Sequence, residues 1–352
     1  MSSNARFNPT FSVMKGIAII SVVLGHCPAL PFVGKFVNQY HLAVFFFVAG
    51  YFFKEKYLET PKIFIVKRLK SLYFPYVIFG LLALCLHNVF YGLHIVGDYM
   101  SMLDFILGGR NLVVKLYSEE ALMGAMWFCP ALLIVSYMSY FIFWLTRKHK
   151  NLRHLSFLFV MTVGAVCCYF HIKSPYCVWQ YAPICILFYG GFVFKHHEDC
   201  FANVKSKIVW SVLLLLLLGI LAKYNVCAYL QPFHIANENV FVMVCIGIVG
   251  CIAIYLLSST LVVTKLGKWL AVIGRYSFSI MAIHFLAFKI INFIQCLVYG
   301  YDLNKISSFP FLRLDNGWWM AYAIVGVFVP MLCSILYHKS VNIISYVRNR
   351  ND

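Results

Sequence analysis

Charge is what this sequence has little of. Lys, Arg, Asp and Glu make up 12% of the 352 residues, and Asp and Glu together number only 12, against a charged share of about 25% in an ordinary soluble domain. Such a chain has too few polar groups to cover a folded surface in water, which excludes a soluble globular protein. Hydrophobic residues reach 62% and the mean hydropathy is +0.81, so lipid must be the solvent. Paired cysteines are also missing: the 13 cysteines form no CxxC pair, and no Cys/His spacing suits a structural zinc site. Most of them, Cys85, Cys167, Cys168, Cys245 and Cys251 among others, sit within apolar runs, where cysteine packs as a small hydrophobe. Linkers rich in Ser and Gly, low-complexity tracts and internal repeats are absent as well. The chain therefore reads as one membrane domain over residues 1–352 with no soluble appendage.

A membrane-crossing helix needs about 20 apolar residues, because the hydrocarbon core is about 30 Å thick. Ten stretches are candidates, at residues 11–30, 36–53, 72–90, 126–145, 155–171, 178–194, 208–221, 240–257, 276–298 and 318–337, the second and seventh being short. The expected fold is all-α: a polytopic helical bundle of about ten transmembrane helices. The first stretch lacks a small-residue cleavage site and more spans follow it, so it reads as a retained helix rather than a signal peptide.

The net charge of +17 would point to nucleic acid in a soluble protein, but here the basic residues gather between apolar runs. Counted on alternate sides of the ten spans, 21 Lys and Arg fall on one side, Arg6 and Lys15 included, and seven on the other, with Lys289 inside the ninth span. Basic residues favour cytoplasmic loops, so this asymmetry puts both termini in the cytoplasm.

Ionisable side chains inside spans are costly and mark function by default. Lys15 and His26 are eleven residues apart in KGIAIISVVLGHC. Eleven helical steps return to within about 20° of the starting direction and advance about 16 Å, so both side chains share one face. The orientation sets Lys15 at the cytoplasmic end and His26 in the outer half. A cationic anchor below a titratable imidazole suits a long substrate with an anionic head and a reactive tip. The plainer alternatives are a positive-inside anchor and a helix-end histidine bonded to a neighbouring carbonyl. His41 opens the second span, His87 closes the third, Trp127 opens the fourth and His284 lies near mid-depth in the ninth, so a polar cluster around His26 is geometrically possible. No HxxxH pair places two ligands on one helix face, and no metal is expected.

These residues resemble the acyltransferase family 3 membrane proteins, in particular the sugar O-acetyltransferase, fucose 4-O-acetylase-like branch. The resemblance runs in order through Lys15 to His26, HLAVFFFVAGYFF at 41–53, KRLKSLYFPY at 67–76, MWFCPAL at 126–132 and GRYSFSIMAIHFL at 274–286. Two positions depart from the pattern: Ala49 stands where a small hydroxyl residue is frequent, and Ser71 where a second arginine is.

The resemblance implies transfer of an acetyl or other acyl group from cytoplasmic acetyl-CoA to a hydroxyl of a cell-envelope glycan or its lipid-linked precursor. It also implies a multi-pass protein of the bacterial inner (cytoplasmic) membrane. His26 would then be the catalytic base, with Lys15, Arg68 and Lys70 holding the CoA phosphates. His41, Trp127, Glu119, Glu120 and His284 would bind the acceptor or support the site. Trp127 and Tyr40 could stack on a sugar, although interfacial aromatic belts explain them equally well. Glu119 and Glu120 could instead be solvated loop acids, and the basic run a juxtamembrane patch. The competing class is a multi-span transporter or flippase for an envelope glycan or small metabolite, whose expected inverted repeat the sequence does not display. A membrane sensor without catalysis is a further alternative.

Overall fold

The computed structural model describes residues 8–202, 205–226, 229–230 and 239–351; Arg6 lies outside them. It is 80% helical, and among the described residues there are no strands. Among the described residues, nine helices are long and apolar enough to cross a membrane. The seventh predicted span, at residues 208–221, is a 17-residue helix, Lys207–Lys223, one residue short of the 18 that mark a candidate span.

Helix starts follow local chemistry. Asn8 accepts the amide of Thr10 at 3.1 Å and Pro9 occupies the first turn of α1 (Pro9–His26), the arrangement that satisfies amides lacking an intrahelical partner. The predicted second span is two helices, α2 (Pro31–Asn38) and α3 (His41–Tyr51), interrupted at Gln39 and Tyr40. The basic run, expected as a connector, is helical. α4 (Pro61–Arg68) passes through a π turn at Leu69–Tyr73 into α5 (Phe74–Gly92), a continuous helical stretch of 32 residues. Pro75 lacks an amide hydrogen and its ring crowds the carbonyl four residues back, so the wider turn ahead of it accommodates both.

Beyond these lie α6 (Met102–Arg110), α7 (Phe128–Leu145), α8 (Arg153–Tyr169), α9 (Cys185–His196), α10 (Lys207–Lys223) and α11 (Val240–Leu261). The chain ends with α12 (Lys265–Arg275), α13 (Ser277–Tyr299) and α14 (Trp318–Asn351). α6, in the long connector between the third and fourth predicted spans, and the short α12 were not foreseen, because neither is apolar enough to read as a span.

Two backbone crossings hold the centre. A Cβ on Gly16 would lie 2.0 Å from the Leu270 carbonyl oxygen, and one on Gly274 would lie 1.9 Å from that of Ser12, so α1 and α12 touch at glycines. Likewise a Cβ on Gly50 would meet the Phe188 oxygen at 1.7 Å, and one on Gly191 the Phe47 oxygen at 1.8 Å, locking α3 to α9. In lipid, where apolar surface alone does not draw helices together, such small-residue contacts supply the close packing.

Segments assigned to the same side by the charge pattern meet in space. Glu55 binds Arg153 and Lys150, Lys195 donates to the Phe53 carbonyl at 3.4 Å, and Glu198 accepts from Tyr51 and Tyr255. On the other side, Lys35 donates to Asn225 and Lys289 to the carbonyls of Ser307 and Ser308. The buried side chains form three clusters, and Met281 packs against all of them.

Candidate active site

The junction of those clusters is hollow. Met281, Leu42 and Phe45 line a cavity of about 230 Å³ together with His26, His41 and Trp127. These last three are delivered by helix ends: His26 closes α1, His41 opens α3, and Trp127 immediately precedes α7. The glycine crossings described above fix α1 and α3, and with them the first two imidazoles.

Three histidines converge here. The His26 ring stacks on His284 with centroids 5.3 Å apart, and Phe285 meets it edge-on at 4.7 Å. His41 also lies within electrostatic reach of His26. Carbonyl oxygens only accept, so each bond to one locates a proton. Nδ1 of His41 is 2.6 Å from the Val37 oxygen, and Nδ1 of His284 is 2.9 and 3.1 Å from those of Ile280 and Met281. Both Nδ1 atoms therefore carry hydrogen, and in the neutral rings both Nε2 atoms are left as acceptors. Nε2 of His284 is buried without a partner among the described residues. His26 thus stands beside two imidazoles oriented by their own helices.

The basic residues are dispersed. Lys15 is partly buried on α1 and forms no ion pair among the described residues. Phe11, one turn before it, packs on Tyr51 and Phe52 at the end of α3. Arg68 approaches the same end, its Nη2 lying 3.5 Å from the Ala49 carbonyl and its guanidinium over Phe64. Lys70 is exposed and lines a separate open cleft with Lys62 and Lys67. Two helical steps turn about 200°, which places Lys70 opposite Arg68.

The two acidic candidates differ. Glu119 is exposed at the rim of a polar cavity of about 560 Å³, whereas Glu120 is buried and lies 2.6 Å from Nδ1 of His87. The other ring nitrogen of His87 is 2.9 Å from the Asp98 carbonyl and must donate to it. A proton therefore also lies between Nδ1 and the carboxylate, and the pair as a unit is neutral. Asp104, lining the same cavity, accepts from the hydroxyl and amide of Ser101, and these bonds hold its carboxyl below the usual carboxylate range. Tyr40 departs from the stacking expectation. It is buried against Gly250 with its hydroxyl 2.9 Å from that of Ser21, because the break between α2 and α3 turns it into the helix interface.

Sequence reasoning noticed His87 but not its pairing with Glu120 across 33 residues. It also missed a third cavity, about 280 Å³, lined by Tyr76, Tyr117, Tyr181 and Trp127. Trp127 is thus the wall between that aromatic cavity and the one at His26.

Residues 8–338 match the family described as an acyltransferase domain, Acyl_transf_3. Comparison with curated proteins and with solved structures finds no match.

Proposed function

The chain belongs to the acyltransferase 3 family of integral membrane acyltransferases, and from that premise we propose that it O-acetylates a cell-envelope glycan or its lipid-linked precursor, taking the acetyl group from cytoplasmic acetyl-CoA. The proposed setting is the bacterial inner membrane, with both termini in the cytoplasm. The observation that carries this reading is the placement of His26. Its imidazole borders a cavity at the end of α1 remote from Lys15, about 16 Å further along the same helix face.

In the proposed reaction the acceptor hydroxyl oxygen attacks the thioester carbonyl while its proton passes to His26. The tetrahedral adduct then collapses, the carbon–sulfur bond breaks, and the departing CoA thiolate takes up that proton. A sugar hydroxyl holds its proton far above neutral pH, so the step requires a positioned base to receive it, and an imidazole is the usual one. Lys15 and Arg68, both near the end of α3, would anchor CoA phosphates, with Lys70 at the entrance. The pantetheine arm, comparable in length to the Lys15–His26 separation, would carry the thioester toward His26 without CoA crossing the membrane. His41 and His284 would fix the His26 ring.

The test uses purified protein in lipid nanodiscs, acetyl-CoA, and envelope glycan stripped of esters by mild alkali. Wild-type protein should release free CoA and raise the glycan mass by one acetyl group per transfer. His26→Ala should do neither while still gaining thermal stability from acetyl-CoA. Wild-type turnover in His26→Ala would remove the proposed base.

A further inference from the structure

One short stretch of chain walls the three cavities described above: the polar one, the aromatic one and that at His26. Along residues 118–128, Glu119, Glu120 and Leu122 face the polar cavity, Met123 and Gly124 the aromatic one, and Ala125 and Phe128 the cavity at His26. The spaces are joined at shared residues. Ser118 borders both the polar and the aromatic cavities, and Trp127 borders both the aromatic cavity and that of His26. A second connection runs through rings: Phe309, on the polar cavity, packs on Phe285 at 4.7 Å, and Phe285 packs on His26 at 4.7 Å.

The linings change character along this path. The aromatic cavity presents apolar ring surface beside one cation, Lys115, and the rings suit the C–H face of a pyranose, whose hydroxyls project at its edge. The polar cavity has twice its volume and offers acceptors: the carboxylates of Asp98, Asp104 and Glu119. Its two cationic groups are already engaged, Lys289 by the carbonyls of Ser307 and Ser308 and His87 by Glu120. A hydroxyl-rich unit without negative charge fits this surface, whereas a uronate or phosphate would meet like charge. The two volumes together fall within the range of about 300–1,000 Å³ typical of ligand pockets.

Resting on the proposed acetyl transfer, we infer that residues 118–128 form the floor of an acceptor track that engages a glycan chain over two to three sugar units, with uncharged units in the polar cavity. The unit to be acetylated lies in the aromatic cavity and turns its hydroxyl past Trp127 toward His26. Its neighbours occupy the polar cavity. The acceptor is therefore an oligosaccharide or polymer rather than a free monosaccharide.

The probe is the producing cell's own envelope glycan, de-esterified with alkali, partly hydrolysed and sized into fragments of one, two, three and more units. With purified protein and acetyl-CoA, kcat/KM should rise by about tenfold or more from one unit to three and then level off, a gain of about 1.4 kcal/mol in transition-state contact. Ser118→Trp, which fills the neck between the two cavities, should abolish that gain, and Ser118→Ala should preserve it. Both variants should keep the acetyl-CoA-dependent rise in Tm, showing that they fold. Equal efficiency for one unit and three, or a length gain that survives Ser118→Trp, overturns the track. A wild-type protein that acetylates no fragment of any length, despite binding acetyl-CoA, overturns the proposed acceptor class and the track with it.

Discussion

His26 closes a helix with its ring against two other rings, so its removal would take away a base and leave the surrounding packing largely to Phe285 and His284. The expected loss of acetyl transfer in His26→Ala is about 10²- to 10⁴-fold, the usual contribution of a positioned general base, measured as kcat with the apparent KM for acetyl-CoA little changed. Lys15→Gln should do the reverse, raising that KM while preserving kcat at saturation. An unchanged KM would dismiss the anchoring role. Glu120 permits a sharper distinction. A Gln amide can donate to Nδ1 of His87 where the shared proton now lies, so Glu120→Gln should leave Tm in detergent close to wild type. Glu120→Leu strands a buried ring nitrogen and should cost about 1–3 kcal/mol, read as a lower Tm.

At the scale of elements, the glycine crossings decide where the imidazoles stand. Gly50→Val should lose about 1–3 kcal/mol through overpacking, because its first side-chain atom would occupy the Phe188 carbonyl. Gly92→Ala, with open space around it, is the control and should hold its Tm. Most of this level was legible in advance. Lipid demands long apolar runs, so composition alone located the spans. What escaped were features that no apolar run records: the interruption at Gln39 and Tyr40, the amphipathic α12 behind α1, and the meeting of His87 with Glu120. The opposed directions of Arg68 and Lys70 were within reach, since a helical reading of the basic run puts residues two apart on opposite faces. The run was read as a connector instead, because its charges masked its helical form.

Loops also carry a pH signature. Burial alone would raise the Glu55 carboxyl, but the bonds and charges of Arg153 and Lys150 outweigh it and hold the group below the ordinary carboxylate value. Its contribution is therefore fully present above about pH 4.3, the unfolded value, and is lost as pH falls through the depressed one. Glu55 is over a third exposed, so screening keeps the effect under about 1 kcal/mol. Tm measured between pH 3 and 6 should fall less steeply for Glu55→Gln than for wild type. Parallel curves would show that the pair contributes nothing.

For the whole molecule the decisive quantity is direction. The contacts of Glu55 with Arg153 and of Glu198 with Tyr51 and Tyr255 gather one set of connectors. Lys35 with Asn225 belongs to the opposite set. Those pairings establish which segments share a side, and the surplus of Lys and Arg proposes which side is the cytoplasm. Direction matters to the proposed chemistry because its donor, acetyl-CoA, is made inside the cell and its acceptor, an envelope glycan, is built for the outside. A reversed protein would present Lys15 to the compartment that lacks the donor. Cys200, exposed beside Glu198, and Asn304, exposed beside Lys305, report the two faces. In intact cells a membrane-impermeant maleimide should label Asn304→Cys in a Cys200→Ser background and should reach Cys200 of the parent only after permeabilisation. Labelling in the opposite order would invert the topology, and the path from Lys15 to His26 would then lead away from the acceptor.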